Sequence, residues 1–193
     1  MVKTMTEYNF ELHFVLPEDR PDSEDHLDAL FEAGCDDALV GAGKLGHIAL
    51  DFTREAKNAE EAILSSVENV MSAIPDARLI SASPDLVNLS DMPKVMEKWE
   101  VAHLTRQAMR KYAFDQVKKV MRPFPAEALF NGTSLWHMNE VVSWLLDNGK
   151  VDRPDRAQEL LDLTNSARKL NAALEYARNK APAFDSFISK VAH

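Results

Sequence analysis

The sequence predicts an α+β chain of 193 residues in which an acidic, mixed first part gives way to a basic, helical second part. Three features lead there: an apolar/polar alternation near the N-terminus, an uneven division of charge, and helical periodicity through the last third. From Tyr8 to Leu16, Phe10, Leu12, Phe14 and Leu16 fall on one side and Asn9, Glu11 and His13 on the other, the period of a half-buried strand. Residues 1 to 90 hold 6 Lys+Arg against 18 Asp+Glu, residues 91 to 150 hold 9 against 7, and residues 151 to 193 hold 7 against 6. The formal net charge of -9 therefore belongs to the first half, and it does not exclude a polyanionic partner for the second.

The first strand ends at Pro17. Asp22 or Ser23 can cap a short helix whose Leu27, Leu30 and Phe31 share a face before Gly34 closes it. Ala38 to Val40 and His47 to Phe52 read as strands joined by a glycine-rich turn. Asn58 and Glu61 form an N-cap and capping-box pair, and Ile63, Val67, Val70, Met71 and Ile74 mark the apolar face of a second helix. Arg78 to Ala82 supplies a fourth strand. The order strand, helix, strand, strand, helix, strand is the ferredoxin-like split arrangement, an antiparallel sheet with both helices on one face. SPDLVNLSDMPK reads as a linker, dividing an α+β domain over residues 1 to 88 from the helical remainder of the chain.

In the second part, Thr105 can cap a helix running to about Phe114, with Ala108, Met109 and Tyr112 on one face and Arg106, Gln107, Arg110 and Lys111 around the rest. Between His103 and Arg122 there are six basic side chains and one acid, Asp115. Asn131-Gly132 is a strong hairpin turn signal, so ALF and SLW can pair as a small wing. Met138 to Leu146 reads as a helix burying Val141, Trp144 and Leu145 and ending at Asn148-Gly149. Asp152 and Pro154 suit the start of a last helix. Its Leu160, Leu163, Ala167, Leu170, Leu174, Ala177 and Ala181 form an a/d seam that can pair two chains or fold back on its own chain. Phe184, Phe187 and Ile188 read as a docking tail.

Other chemistry finds little support. GAGKLG has the G-x-G-x-x-G spacing, but the strand-like HIALDF comes after it where a phosphate loop needs a helix, so a hairpin turn is expected. His13, His26, His47, His103, His137 and His193 include no i, i+4 pair, and Cys35 sits beside Asp36 and Asp37, which oppose a thiolate. No enzyme motif, metal or cofactor is expected. No apolar run approaches about 18 residues, no secretion signal opens the chain, and the single Cys35 suits a reducing compartment, so a cytoplasmic protein without membrane contact is expected.

TRQAMRKYA, then Phe124-Pro125, then GTSLWH and NEVVSWL resemble the small winged helix-turn-helix domains of the MerR-like and excisionase-like regulators of bacteria and phage. The resemblance covers about Leu89 to Leu146; Glu127 stands where a second proline of the Phe-Pro turn is usual. It implies a winged helix-turn-helix over residues 89 to 150, double-stranded DNA as partner and a sequence-specific transcriptional regulator as the function. Thr105 then starts the recognition helix. Arg106, Gln107 and Arg110 reach base edges, and Lys111, Lys118, Lys119, Arg122 and the wing residues Asn131 and Thr133 hold phosphates. Residues 151 to 193 form a C-terminal helix for dimerisation, giving a homodimer, or for docking. The alternative is a protein-interaction module such as an antitoxin or immunity component, its acidic N-terminal domain neutralising a protein partner.

Overall fold

The computed structural model describes residues 5–41, 43–114 and 116–179. Four strands, β1 (Thr6–Val15), β2 (Ala38–Gly41), β3 (His47–Ala56) and β4 (Arg78–Ser83), form an antiparallel sheet in the order β2-β3-β1-β4. Helix α1 (Leu27–Glu32) leads from β1 to β2, and α2 (Ala59–Ala73) from β3 to β4. The alternation in β1 does what its period requires. Phe10, Leu12 and Phe14, with Ile48, Leu50 and Phe52 of β3, are at most 2% exposed and form the core of this half. Each such side chain contributes about 1.5–3 kcal/mol by leaving water.

Local signals act with small displacements. The Asn58 side chain accepts the Glu61 N–H at 2.8 Å, and the Glu61 carboxylate turns back to the Lys57 N–H at 3.2 Å, one residue before the expected partner. Asp22 caps a 3-10 turn (Ser23–His26) ahead of α1. That leaves α1 only six residues, so of its expected apolar face Leu30 alone is buried, while Leu27 and Phe31 are 42% and 69% exposed. Arg54, nearly buried on β3, holds both carboxylate oxygens of Asp37 at 2.7 and 2.8 Å and the Gly34 carbonyl at 2.7 Å, tying the α1–β2 turn to the sheet.

The stretch that reads as a linker is ordered. It holds β5 (Leu86–Val87) and a turn in which the Asn88 side chain accepts the Ser90 and Asp91 N–H groups. β5 pairs with β7 (Ser134–His137), which pairs with β6 (Leu129–Phe130), so a second antiparallel sheet runs β5-β7-β6. Around it lie α3 (Met92–Lys98), α4 (Arg106–Ala113), α5 (Met138–Asp147) and α6 (Pro154–Arg178). Trp144 of α5 is the hub: its ring lies 5.1 Å from both Tyr112 and Phe124, and its indole N–H donates to the Arg122 carbonyl at 2.9 Å. Phe124 in turn meets Trp136 edge-on at 6.3 Å.

The turn between α3 and α4 has no glycine, yet Glu100 adopts φ +54, the left-handed conformation that glycine ordinarily supplies. It is held from outside. Asp152 and Arg153 donate their N–H groups to the Val101 carbonyl at 2.9 and 3.2 Å, and Asp152 accepts the His103 N–H at 3.0 Å. Asp152 is therefore a strut of this turn and not the α6 cap; Arg153 occupies that position with no side-chain cap bond.

The a/d seam of α6 folds back within the chain. Leu160, Leu163 and Ala167 are fully buried, Leu170 and Leu174 partly so, and Ala177 is exposed; α6 lies against α5, α2, β1 and β4. Ala181, Phe184, Phe187 and Ile188 lie outside the described residues. Asn171 donates to the Ala82 carbonyl at 2.9 Å and accepts the Ala82 N–H at 2.8 Å, occupying the outer edge of β4, and donates to Asp85 at 2.8 Å.

Two stability outcomes are expected. Asn171→Ala orphans the Ala82 amide and should cost about 1–3 kcal/mol, read as a lower urea midpoint with an unchanged m-value. Glu100→Gly relieves a left-handed side chain and gives up one exposed ion pair, that with Arg153; it should raise stability by roughly 0.5–1 kcal/mol in the same titration.

Candidate nucleic-acid interface

Helix α4 begins where Thr105, in extended conformation, accepts the Ala108 N–H on its side chain at 3.1 Å. Met109 is fully buried and Tyr112 packs on Trp144, which fixes the rotation of the helix. Arg106, Gln107, Arg110 and Lys111 are consequently exposed. The Arg110 guanidinium lies over the Phe114 ring, 5.5 Å from its centre.

After α4 the chain carries exposed Lys118 and Lys119, the latter at φ +62, and is then pinned where the Met121 N–H donates to the Asn148 side chain at 2.7 Å. Arg122 is drawn onto α5, with its guanidinium 2.7 Å from Asp147 and 2.9 Å from the Ser143 hydroxyl. It is thus the one expected phosphate contact that already has an anionic partner among the described residues. The hairpin tip has three residues between the paired Phe130 and Ser134, not two: Asn131, Gly132 at φ +85, and Thr133. Asn131 and Thr133 are exposed.

These pieces meet at a cleft of about 350 Å³ lined by Arg106, Phe114, Thr133, Ser134, Trp136 and the Asn88–Ser90 turn. The structure therefore brings Arg106 at the start of α4 and Thr133 of the hairpin to one opening. Among the described residues, Arg106, Arg110, Lys111, Lys118 and Lys119 make no ion pair; Arg20, Lys44, Arg78, Lys150 and Lys169 make none either, but lie apart in the sequence, whereas Lys98, Arg153, Arg156, Arg168 and Arg178 each have a carboxylate partner. Uncompensated cations are the chemistry a phosphate backbone selects. Glu127, exposed ahead of the hairpin, is an opposing charge nearby in sequence; Asp115, the acid within the basic run, lies outside the described residues.

Several parts of this surface are not foreseen from the sequence. Phe114, Trp136, Asn88 and Ser90 line the cleft, and Met121, Phe130 and Leu129 are 81%, 66% and 49% exposed. The local signal is an aromatic residue directly after a basic amphipathic helix; the contribution of the Asn88 turn depends on the pairing of β5 with β7 and has no local signature.

Elsewhere some titratable groups are paired. His13 and Glu11 pair, which holds the Glu11 carboxyl below and the His13 imidazole above their ordinary values, and His137 bonds Asp85 at 2.7 Å. Burial pushes the Cys35 thiol up to about 11, away from nucleophilic use. β3 begins at His47, directly after Gly46, so GAGKLG leads into a strand. No group of three His, Cys, Asp or Glu side chains among the described residues could hold a metal ion, and none of the described helices is long and apolar enough to cross a membrane. Comparison of the chain with protein-family models, with curated proteins and with solved structures returns no match.

Proposed function

We propose that the chain is a sequence-specific DNA-binding regulator. On this proposal residues 1 to 88 are a ferredoxin-like domain, residues 89 to 150 a winged helix-turn-helix, and α6 a helix docked across both. The strand order β2-β3-β1-β4 with all neighbours antiparallel supports the first assignment, because it interleaves two strand-helix-strand units in one sheet. Two short helices joined through a left-handed residue, then a hairpin and a closing helix, support the second.

The observation that carries the function is the cleft where Arg106 meets Thr133, flanked by cations without carboxylate partners among the described residues. A helix start and a hairpin that open together can engage a major groove and its adjoining backbone. Arg106, Gln107 and Arg110 are the base-reading side chains of this proposal, since Arg suits guanine and Gln suits adenine. Lys111, Lys118, Lys119, Asn131 and Thr133 position the duplex through phosphates. Arg122 braces the Phe124 turn against α5, and a role for it on DNA would require exchanging Asp147 for a phosphate.

Selection of duplexes from a random pool should yield a preferred site. Arg106→Ala or Arg110→Ala should then cost about 1–3 kcal/mol at that site and relax its sequence preference, whereas Lys118→Ala should weaken all duplexes alike. Raising salt from about 50 to 200 mM should weaken binding by roughly two to three orders of magnitude for four to six phosphate contacts, read by fluorescence anisotropy. Absence of duplex binding at the lower salt would overturn the proposal.

A further inference from the structure

The four-stranded sheet has two edges, and the chain treats them differently. On β4, α6 occupies the edge: Asn171 bonds both backbone groups of Ala82, and Arg178 donates to the carbonyls of Leu79 and Ile80 at 2.7 and 2.9 Å. On β2 no such cover exists among the described residues. Thr53 donates its N–H to the Asp37 carbonyl at 2.9 Å, and this sets the antiparallel alternation: Leu39 and Gly41 bond toward β3, while Ala38 and Val40 turn their carbonyls outward. The Ala38 N–H is taken by Cys35, and the Val40 N–H points out with its carbonyl.

Soluble proteins blunt a free edge by keeping it short or with lysine, proline or a bulge. β2 is short, at four residues, but ALVG carries no lysine, proline or bulge. Leu39 on this strand is 76% exposed, and Phe31 and Leu27, on the helix that leads into it, are 69% and 42% exposed. The ends of the edge carry opposite charge: exposed Asp36 precedes β2 and exposed Lys44 comes after it. A strand with an acid at one end and a base at the other is complementary to its own antiparallel copy.

We propose that β2 pairs antiparallel with β2 of a second copy of this chain about a two-fold axis through Val40, joining two four-stranded sheets into one of eight. In that register the Val40 N–H and carbonyl bond the partner's Val40, and the end of β2 preceded by Asp36 faces the partner's turn that carries Lys44. Leu39, exposed at this edge, then lies against the partner strand. The interface is isologous, each surface meeting its own duplicate, which closes the assembly at two chains. This inference is independent of DNA binding and is tested without DNA.

The test is sedimentation and light scattering of the full chain across about 1–200 µM, expected to show the 21.7 kDa monomer giving way to a species of twice that mass. Val40→Pro removes the outward N–H at an edge position that tolerates proline, and should leave a monomer with an unchanged far-UV spectrum. Lys44→Glu should weaken the dimer about tenfold, and the double variant Asp36→Lys, Lys44→Glu should restore it; this charge exchange decides the matter if Val40→Pro does not fold. A parent chain that stays monomeric throughout overturns the proposal, as does a dimer that neither change weakens, since another surface would then hold it.

Discussion

The seating of α6 is the constraint on which the rest of the structure depends. Leu160, Leu163 and Ala167 are buried within the chain, and Asn171, one amide side chain, satisfies both backbone groups of Ala82 and a carboxylate oxygen of Asp85. Asp85 also holds His137 at the end of β7, so the sheet edge, the short strand β5 and the base of the hairpin share one polar network. A buried polar group is costly to orphan, and the network couples elements that hydrophobic contact alone would leave free to slide. The same helix arrives through Asp152 and Arg153, which clamp the α3–α4 turn at Val101.

The presentation of α4 depends on that clamp and on the aromatic hub. Trp144, Tyr112, Phe124 and Trp136 interlock α4, the Phe-Pro turn, the hairpin and α5. Because Met109 is buried and Tyr112 packs on Trp144, the long basic side chains of α4 are left on the exposed side of the helix, Arg110 over the Phe114 ring and Arg106 at the cleft. Arg54, Lys98 and Arg168 of the supporting frame are neutralised by carboxylates and Arg122 by Asp147, whereas Arg106, Arg110, Lys111, Lys118 and Lys119 have no such partner among the described residues. On the proposed function, the acidic first half would disfavour loosely placed phosphates and so favour a duplex that fits the cleft over one that does not.

Much of the local structure was legible in the residues. The period of two in β1, the Asn58 and Thr105 caps and the Gly149 stop each act through neighbours a few positions away and operate where their chemistry places them, while the Asn131-Gly132 turn forms with one residue more than its two-residue signal specifies. Three of the departures share a cause. Glu100 takes a glycine conformation because Asp152 and Arg153, distant in sequence, hold the turn, Asp152 leaves the cap of its own helix to do so, and Arg122 turns to Asp147. Long-range partners override local preference where they supply more than one bond.

For the candidate site the division is similar. Sequence by itself determined which side chains are long, cationic and set on one helix start, because 3.6 residues per turn and the apolar positions of Met109 and Tyr112 settle that arc. It also determined the α+β character and the location of the acidic charge. Only the tertiary structure decided that Arg106 and Thr133 line one cleft with the Asn88 turn, that Arg122 is engaged on α5, and that α6 closes one sheet edge and leaves the other bare. The reason is physical: spacing along the chain specifies which face of an element is apolar, but which partner covers that face depends on contacts formed across the whole chain.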